Sequence, residues 1–392
     1  MTSEQIKGLH DQYVMNTYNR YPVVVDYGAG SYLYDMEGAD YLDFTSGIGV
    51  CALGQANPIW IEAISSQIQK LGHVSNLFYS EPSARLAEIL CQRTGMSKVF
   101  FANGGAEANE GMIKLARKYS YDKYGLGRST IITLNHSFHG RTITTLTATG
   151  QESLHQYFYP LAEGFRYADA NNLDAIMKAA GDDVCAVMLE LVQGEGGVFA
   201  MDQTYIHNLM KLCEEKDWLF LTDEVQSGVG RTGSLFAFQQ YGILPDVCSF
   251  AKGIAGGLPM SGIMANGKCK DVLTPGTHAT TFGANPVCAA AGLAVQKIMT
   301  DEFLDEVKEK GDYLRKGIEN LNLRCFGETT GLGLMVGIGV KKGYVNKELA
   351  LKLLENKLLV LTAGTGMRLM PPLTVTREEI DKALGIMKKT LS

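Results

Sequence analysis

Apolar and polar positions change rhythm along the chain near Asn57. Before it, SYLYDMEGADYLDF carries two Tyr/Leu-rich runs around a turn at Glu37-Gly38, which predicts a pair of β-strands. After it, short apolar runs alternate with longer amphipathic ones: KVFFA then EGMIKLARKYSYDKY, STIITL, VCAVMLEL then DQTYIHNLMKLCEEKD, WLFLTD and VCSFA. In the first amphipathic run Ala108, Met112, Leu115 and Tyr119 recur at helical spacing. Alternation of this kind predicts an α/β fold, a mostly parallel sheet covered by helices. Ligands of such sheets sit at the carboxyl ends of the strands, so functional residues should follow strands directly. From about Pro286 the pattern becomes helical again, in AAAGLAVQKIMTDEFLDEVKEKGDYLRKGIENL and KELALKLLENK, with one expected strand, GLGLMVGIGV, between them. This C-terminal stretch reads as a separate lobe, and the N-terminal β segment is its expected partner.

Composition narrows the class. The 392 residues are 46% apolar and 20% charged with a net charge of −6, enough for a large core and two lobes. No lysine/arginine block is present, which argues against nucleic acid as a partner. Apolar runs stop well short of a membrane span, and MTSEQIKGLHDQYVMN lacks the apolar core of a signal peptide. The eight cysteines are scattered with no CxxC pair, as expected of a reduced, cytoplasmic enzyme. His136 and His139 have no further ligand cluster beside them, so no metal site is expected.

Several segments that follow strands carry chemistry. After KVFFA comes Asn103-Gly104-Gly105-Ala106-Glu107-Ala108-Asn109-Glu110, small residues opening a helix whose free N–H groups suit a phosphate, or simply a tight capped turn. SFHGR, after STIITL, offers an aromatic ring and a cation; VMLELVQGEGG places Glu190 and Glu195 after a strand. Asp223 ends WLFLTD, where a buried carboxylate needs a partner. Lys252 follows VCSFA directly; a lone lysine there reads either as a solvated loop residue or as a nucleophile in a dry cleft. Gly228 to Gly233 match GxGxxG, which keeps a nicotinamide or flavin oxidoreductase as a rival, but Asp223 to Ser227 separate the strand from the first glycine and place two acids where a pyrophosphate would lie. Taken in order, a phosphate turn, an aromatic, an acid and a lysine form the set that pyridoxal 5'-phosphate requires: its phosphate, flat ring, ring nitrogen and aldehyde each find a partner.

The chain also resembles a known family, the class III pyridoxal-phosphate-dependent aminotransferases. The resemblance runs nearly end to end, through YLYDMEGADYLDFTSGIGV, HVSNLFYSEPSARLAE, NGGAEANEGMIKLARK, SFHGRT, LELVQGEGGV, LTDEVQSGVGRTG, SFAKGIAGGLPM, TTFGANP and GMRLMPPL. It implies a fold-type I architecture, with a large cofactor-binding domain over 51–285 and a small α+β domain built from both termini, 1–50 and 286–392. It also implies that Lys252 bonds the cofactor's aldehyde and Asp223 its ring nitrogen. Gly105 and Ala106 would hold the phosphate, Phe138 would stack on the ring, and Gln226 would bond the phenolic oxygen. Thr281 would reach the phosphate from the other subunit of a homodimer, with Thr280 a neighbouring substrate contact. Arg141 resembles the carboxylate clamp, and Glu195 with Arg368 the pair that opens and closes between half-reactions.

The motifs are most similar to the acetylornithine branch, which implies transfer of the δ-amino group of N2-acetyl-L-ornithine to 2-oxoglutarate. Sister activities on ornithine, 4-aminobutyrate, succinylornithine or succinyl-diaminopimelate stay open, as do an aminomutase and a non-catalytic binding protein. The chain departs from the family at Gly54-Gln55-Ala56-Asn57-Pro58, where a His-rich GHxHP is frequent. It departs again at Leu191, where Pro is frequent, and at Phe282-Gly283-Ala284, where Tyr-Gly-Gly is frequent.

Overall fold

A computed structural model describes all residues, 1–392. Its centre is a seven-stranded sheet in the spatial order Lys98–Ala102, Ser261–Ala265, Val247–Phe250, Leu219–Asp223, Val184–Leu189, Thr130–Leu134, Phe165–Ala168. Only Ser261–Ala265 runs against the rest; it pairs antiparallel with both of its neighbours. Val184–Leu189, Leu219–Asp223 and Val247–Phe250 are buried along their whole length, which is why they read as unbroken apolar runs rather than alternating ones. The helix Gly105–Tyr124 covers one face of the sheet with Ala108, Met112, Leu115 and Ala116.

The N-terminal strands Val25–Ala29, Tyr32–Asp35 and Asp40–Asp43 form a second sheet, completed by Leu358–Leu359 from the far end of the chain in parallel register with Leu42 and Asp43. The N-terminal strands and a C-terminal strand therefore share one sheet. Two local expectations change. GLGLMVGIGV is not one strand but lies across a hairpin, Phe326–Leu332 and Met335–Val340, which continues into Gly366–Leu369 and Leu361–Ala363. Its turn is at Gly333, with φ +52, where an added Cβ would lie 2.5 Å from the Thr232 backbone. The long helical run after Pro286 is two helices, Pro286–Ile298 and Asp301–Asn320. Thr300 restarts it by accepting a hydrogen bond from the Phe303 N–H. The helix Pro286–Ile298 packs on the helices Pro58–Lys70 and Glu81–Thr94.

The GxGxxG stretch opens no dinucleotide turn. It is a buried loop in which Arg231 donates to the carbonyls of Leu334 and Pro371, so that it fastens the large sheet's loops to the C-terminal hairpin. No helix is long and apolar enough to cross a membrane.

Candidate active site

Five segments leave the carboxyl ends of parallel strands and converge on one cavity of about 430 Å3. Of the residues singled out in the sequence, Gly105, Ala106, Phe138, Arg141, Glu190, Asp223, Gln226 and Lys252 line it. Glu195 and Arg368 stand one side chain further back, bonded to Gln226. Thr280 and Thr281 lie outside this cavity, and Thr281 is exposed. Thr280 is tied to its rim by the Asn103 amide, which donates to its hydroxyl at 3.2 Å.

The turn after Lys98–Ala102 leads into the helix Gly105–Tyr124, whose N-cap is Gly104 with no side-chain capping bond. The first N–H groups of a 20-residue helix are thus uncapped at the cavity wall. Gly105 has no room for a side chain: a Cβ would lie 2.7 Å from Val225 Cγ1, which walls the same cavity.

Asp223 is 3% exposed at the end of its strand. Its Oδ2 accepts from the Asn109 amide and meets His139 Nδ1, both at 2.7 Å; its Oδ1 accepts from the Val225 N–H at 3.0 Å. A buried carboxylate is kept only with such company. Asn109 and His139 carried no assigned role in the sequence. The signal for Asn109 was there: it sits beside Ala108 and three residues before Met112, a polar residue on the buried face of its helix. His139, next to Phe138 in SFHGR, gave no such sign. Glu190, the last of the group, is 5% exposed and accepts from the Phe138 N–H at 3.0 Å.

Lys252 opens a single 3-10 turn with φ +45, the left-handed region that a residue with a Cβ adopts only under constraint. Burial lowers its amine from the ordinary lysine range to about 8; Glu195 pulls it up and Arg368 pushes it down again. Such an amine is partly neutral near pH 8, the form that attacks carbonyls. Arg141 is exposed at the mouth, its guanidinium 5.4 Å from the Phe138 ring centre. Arg368 Nη1 donates to Glu195 Oε1 at 2.7 Å, Gln226 Oε1 at 2.8 Å and the Gly194 carbonyl at 2.9 Å. Its Nε is buried without a partner.

A family model, aminotransferase class-III, matches residues 13–391. The chain belongs to that family. It is 48% identical to the acetylornithine aminotransferase of Haemophilus ducreyi over the full length of both chains, 394 aligned residues. Among solved structures it resembles the Toxoplasma gondii ornithine aminotransferase at 30% identity and a TM-score of 0.95, covering 100% of this chain and 95% of that one. It also resembles the Stenotrophomonas maltophilia N-acetylornithine aminotransferase at 33% identity and a TM-score of 0.84, covering 98% and 97%.

The family's enzymes use pyridoxal 5'-phosphate, and the cavity fits it. An uncapped helix N-terminus suits a dianion, and the missing Cβ at Gly105 leaves the backbone open. A buried acid and a half-buried amine of lowered basicity face the same space.

Proposed function

We propose that this aminotransferase moves the δ-amino group of N2-acetyl-L-ornithine to 2-oxoglutarate, giving N-acetyl-L-glutamate 5-semialdehyde and L-glutamate. The observation that carries the donor is the full-length 48% identity to an enzyme named for it. The Glu195–Arg368 pair supports the two-substrate cycle.

Pyridoxal 5'-phosphate supplies, when bound, an aldehyde that takes up amines and a ring that takes up the electrons released at the substrate carbon. Lys252 holds that aldehyde through Nζ and, once released, carries a proton at the same atom. Asp223 keeps a proton on the ring nitrogen, while Asn109 and His139 fix the carboxylate's direction. The N–H groups of Gly105 and Ala106 bind the phosphate, and Phe138 stacks on the ring.

Substrates pose an electrostatic problem. The donor presents an amine far from its α-carboxylate, whereas glutamate presents one beside it. Arg141 holds the distal carboxylate of either with its planar fork. Arg368 is masked by Glu195 for the donor and is free for glutamate. Gln226, now bonded to both members of that pair, would turn to the cofactor's phenolic oxygen as the pair rearranges.

A homodimer completes the site. Leu77 and Phe78 are 88% and 66% exposed, and Phe282, beside Thr281, is 61% exposed. The Asn76 amide donates to the Gly283 carbonyl at 2.9 Å, so these apolar side chains belong to one surface. Such a surface suits a second copy, into whose cavity Thr281 would reach. A reduced cytoplasmic setting agrees with eight free cysteines.

The test is a panel of donors with 2-oxoglutarate: acetylornithine, ornithine, 4-aminobutyrate and succinyl-diaminopimelate. Acetylornithine should give the highest kcat/KM. A lead of tenfold or more for another donor, about 1.4 kcal/mol of transition-state preference, reassigns the substrate and leaves the aminotransferase chemistry standing.

A further inference from the structure

Glu190 has no part in the chemistry above, yet it is buried in the cavity wall between two loops that do. Its Oε2 accepts from the Phe138 N–H at 3.0 Å, and its Oε1 from the Gly194 N–H at 3.4 Å. Phe138 carries the ring-facing side chain. Gly194 precedes Glu195, and its carbonyl accepts from Arg368 at 2.9 Å. Gly194 also has no space for a side chain, since a Cβ would lie 2.2 Å from Gln226 Oε1. One carboxylate therefore bridges the support of the cofactor ring and the turn that holds the Glu195–Arg368 pair. We propose that Glu190 is a positioning residue that fixes these two loops relative to each other through its paired carboxylate oxygens, and loosens them when it takes up a proton.

The bridge needs two acceptor oxygens. A protonated carboxyl keeps one strong acceptor, its carbonyl oxygen, while its hydroxyl oxygen becomes a donor and accepts only weakly, so one of the two N–H bonds is weakened. Burial, with repulsion from Asp223, raises the Glu190 carboxyl from the usual range to about 7, despite His139, which lowers it. The bridge thus forms as pH rises through about 7 and is lost as pH falls. The titratable and charged groups facing it are His139 and Arg141 from the loop after Thr130–Leu134, Asp223 and Lys252 from the next two strand ends, and the Glu195–Arg368 pair beyond Gly194. Lys252, lowered to about 8, also titrates nearby, so the effect of Glu190 is the difference between the wild type and a Glu190 variant.

The inference rests on the cofactor reading of this cavity. Pyridoxamine 5'-phosphate, which makes no covalent bond to Lys252, is the probe. Its dissociation constant is measured from pH 6 to 8.5 for the wild type and for Glu190→Gln, which stands in permanently for the neutral acid. The ratio of the two constants should be near one at pH 6 and rise several-fold through about pH 7, with the variant weaker on the alkaline side. A ratio that does not change with pH overturns the proposal, since a purely structural loss weakens binding equally at every pH. If the wild type fails to bind the probe, the cofactor reading falls, and hydrogen exchange of the wild-type protein still tests the bridge. Protection of the Phe138 and Gly194 amides, corrected for intrinsic exchange, should increase as pH rises through about 7; unchanged protection of both amides overturns it. The exchange measurement also serves if the variant does not fold.

Discussion

Arg368 and Glu195 meet at 2.7 Å, with the guanidinium 3% exposed and the carboxylate 29% exposed. Burial disfavours the ionised Glu195, but Arg368 and then Lys252 outweigh it and hold the carboxyl below its ordinary range. In Glu195→Ala, Arg368 keeps the Gly194 carbonyl and Gln226 Oε1 as acceptors, so the fold should survive. Its charge would no longer be masked. Single-turnover rates should show the glutamate half-reaction maintained or faster. The donor half-reaction should be slower by about tenfold, the scale of one charge-assisted hydrogen bond. Equal loss in both directions would refute a gating role for the pair.

Much of this site was legible because parallel sheets place ligands where their strands end. Asp223 and Lys252 each follow a fully buried apolar run, so strand and functional residue could be read together. The hairpin Phe326–Leu332 and Met335–Val340 was not legible. Its first strand, FGETTGL, is mostly half-exposed and rich in glycine, so it carries little apolar pattern. The tight turn at Gly333 is set by the Thr232 backbone, a contact between residues far apart in sequence. The same limit hid the role of His139, which comes from Asp223 on another strand. Glu190 could be singled out as an acid after a strand, but its bond to the Phe138 amide, 52 residues away, could not be read.

Lys252 gives a stability prediction whose sign follows from its lowered basicity. Its amine is near 8 in the fold and near 10.5 when exposed, so the folded chain carries the cost of a buried cation below about pH 8. Between these values the unfolded chain binds the extra proton, and stability rises with pH. The full effect is roughly 3 kcal/mol. Without cofactor, Lys252→Met should melt at a higher temperature than the wild type at pH 7. The gap should narrow by pH 10. The variant should also lose turnover by several orders of magnitude, since the covalent and proton-carrying roles proposed for Lys252 would vanish together. A wild-type melt that exceeds the variant's at pH 7 would contradict the buried-cation account.

Asp223→Asn separates charge from shape. Two donors, Asn109 and His139, converge on Oδ2, so the amide oxygen of the variant would take that place. Its NH2 would then face the Val225 N–H, now bonded to Oδ1 at 3.0 Å. Two opposed buried donors cost about 1–3 kcal/mol, so a modest loss of stability is expected. Turnover should fall far more than cofactor affinity, because the charge proposed to hold a proton on the ring nitrogen would be gone. Melting curves, cofactor titration and kcat measured on one preparation separate these effects. A near wild-type kcat would leave Asp223 with a purely structural role.

The shared site is tested at Phe282 and Thr281. Phe282 is 61% exposed and its ring lies 5.3 Å from that of His73, close to the exposed Leu77 and Phe78. A charge at its centre should be tolerated by a monomer, whose surface there is already open to water, and rejected by a packed interface. Phe282→Asp should therefore keep the wild-type circular dichroism spectrum and sediment as a monomer with little activity. Thr281→Ala removes only a hydroxyl and should sediment as the wild type does. It should bind pyridoxal 5'-phosphate about tenfold more weakly, as expected when one hydrogen bond to a charged group is lost. Cofactor should in turn shift the wild type toward the dimer by linkage, if the assembled site proposed above binds it more tightly. A wild-type monomer that is fully active at assay concentration would show that Thr281 serves no neighbouring cavity and that each chain works alone.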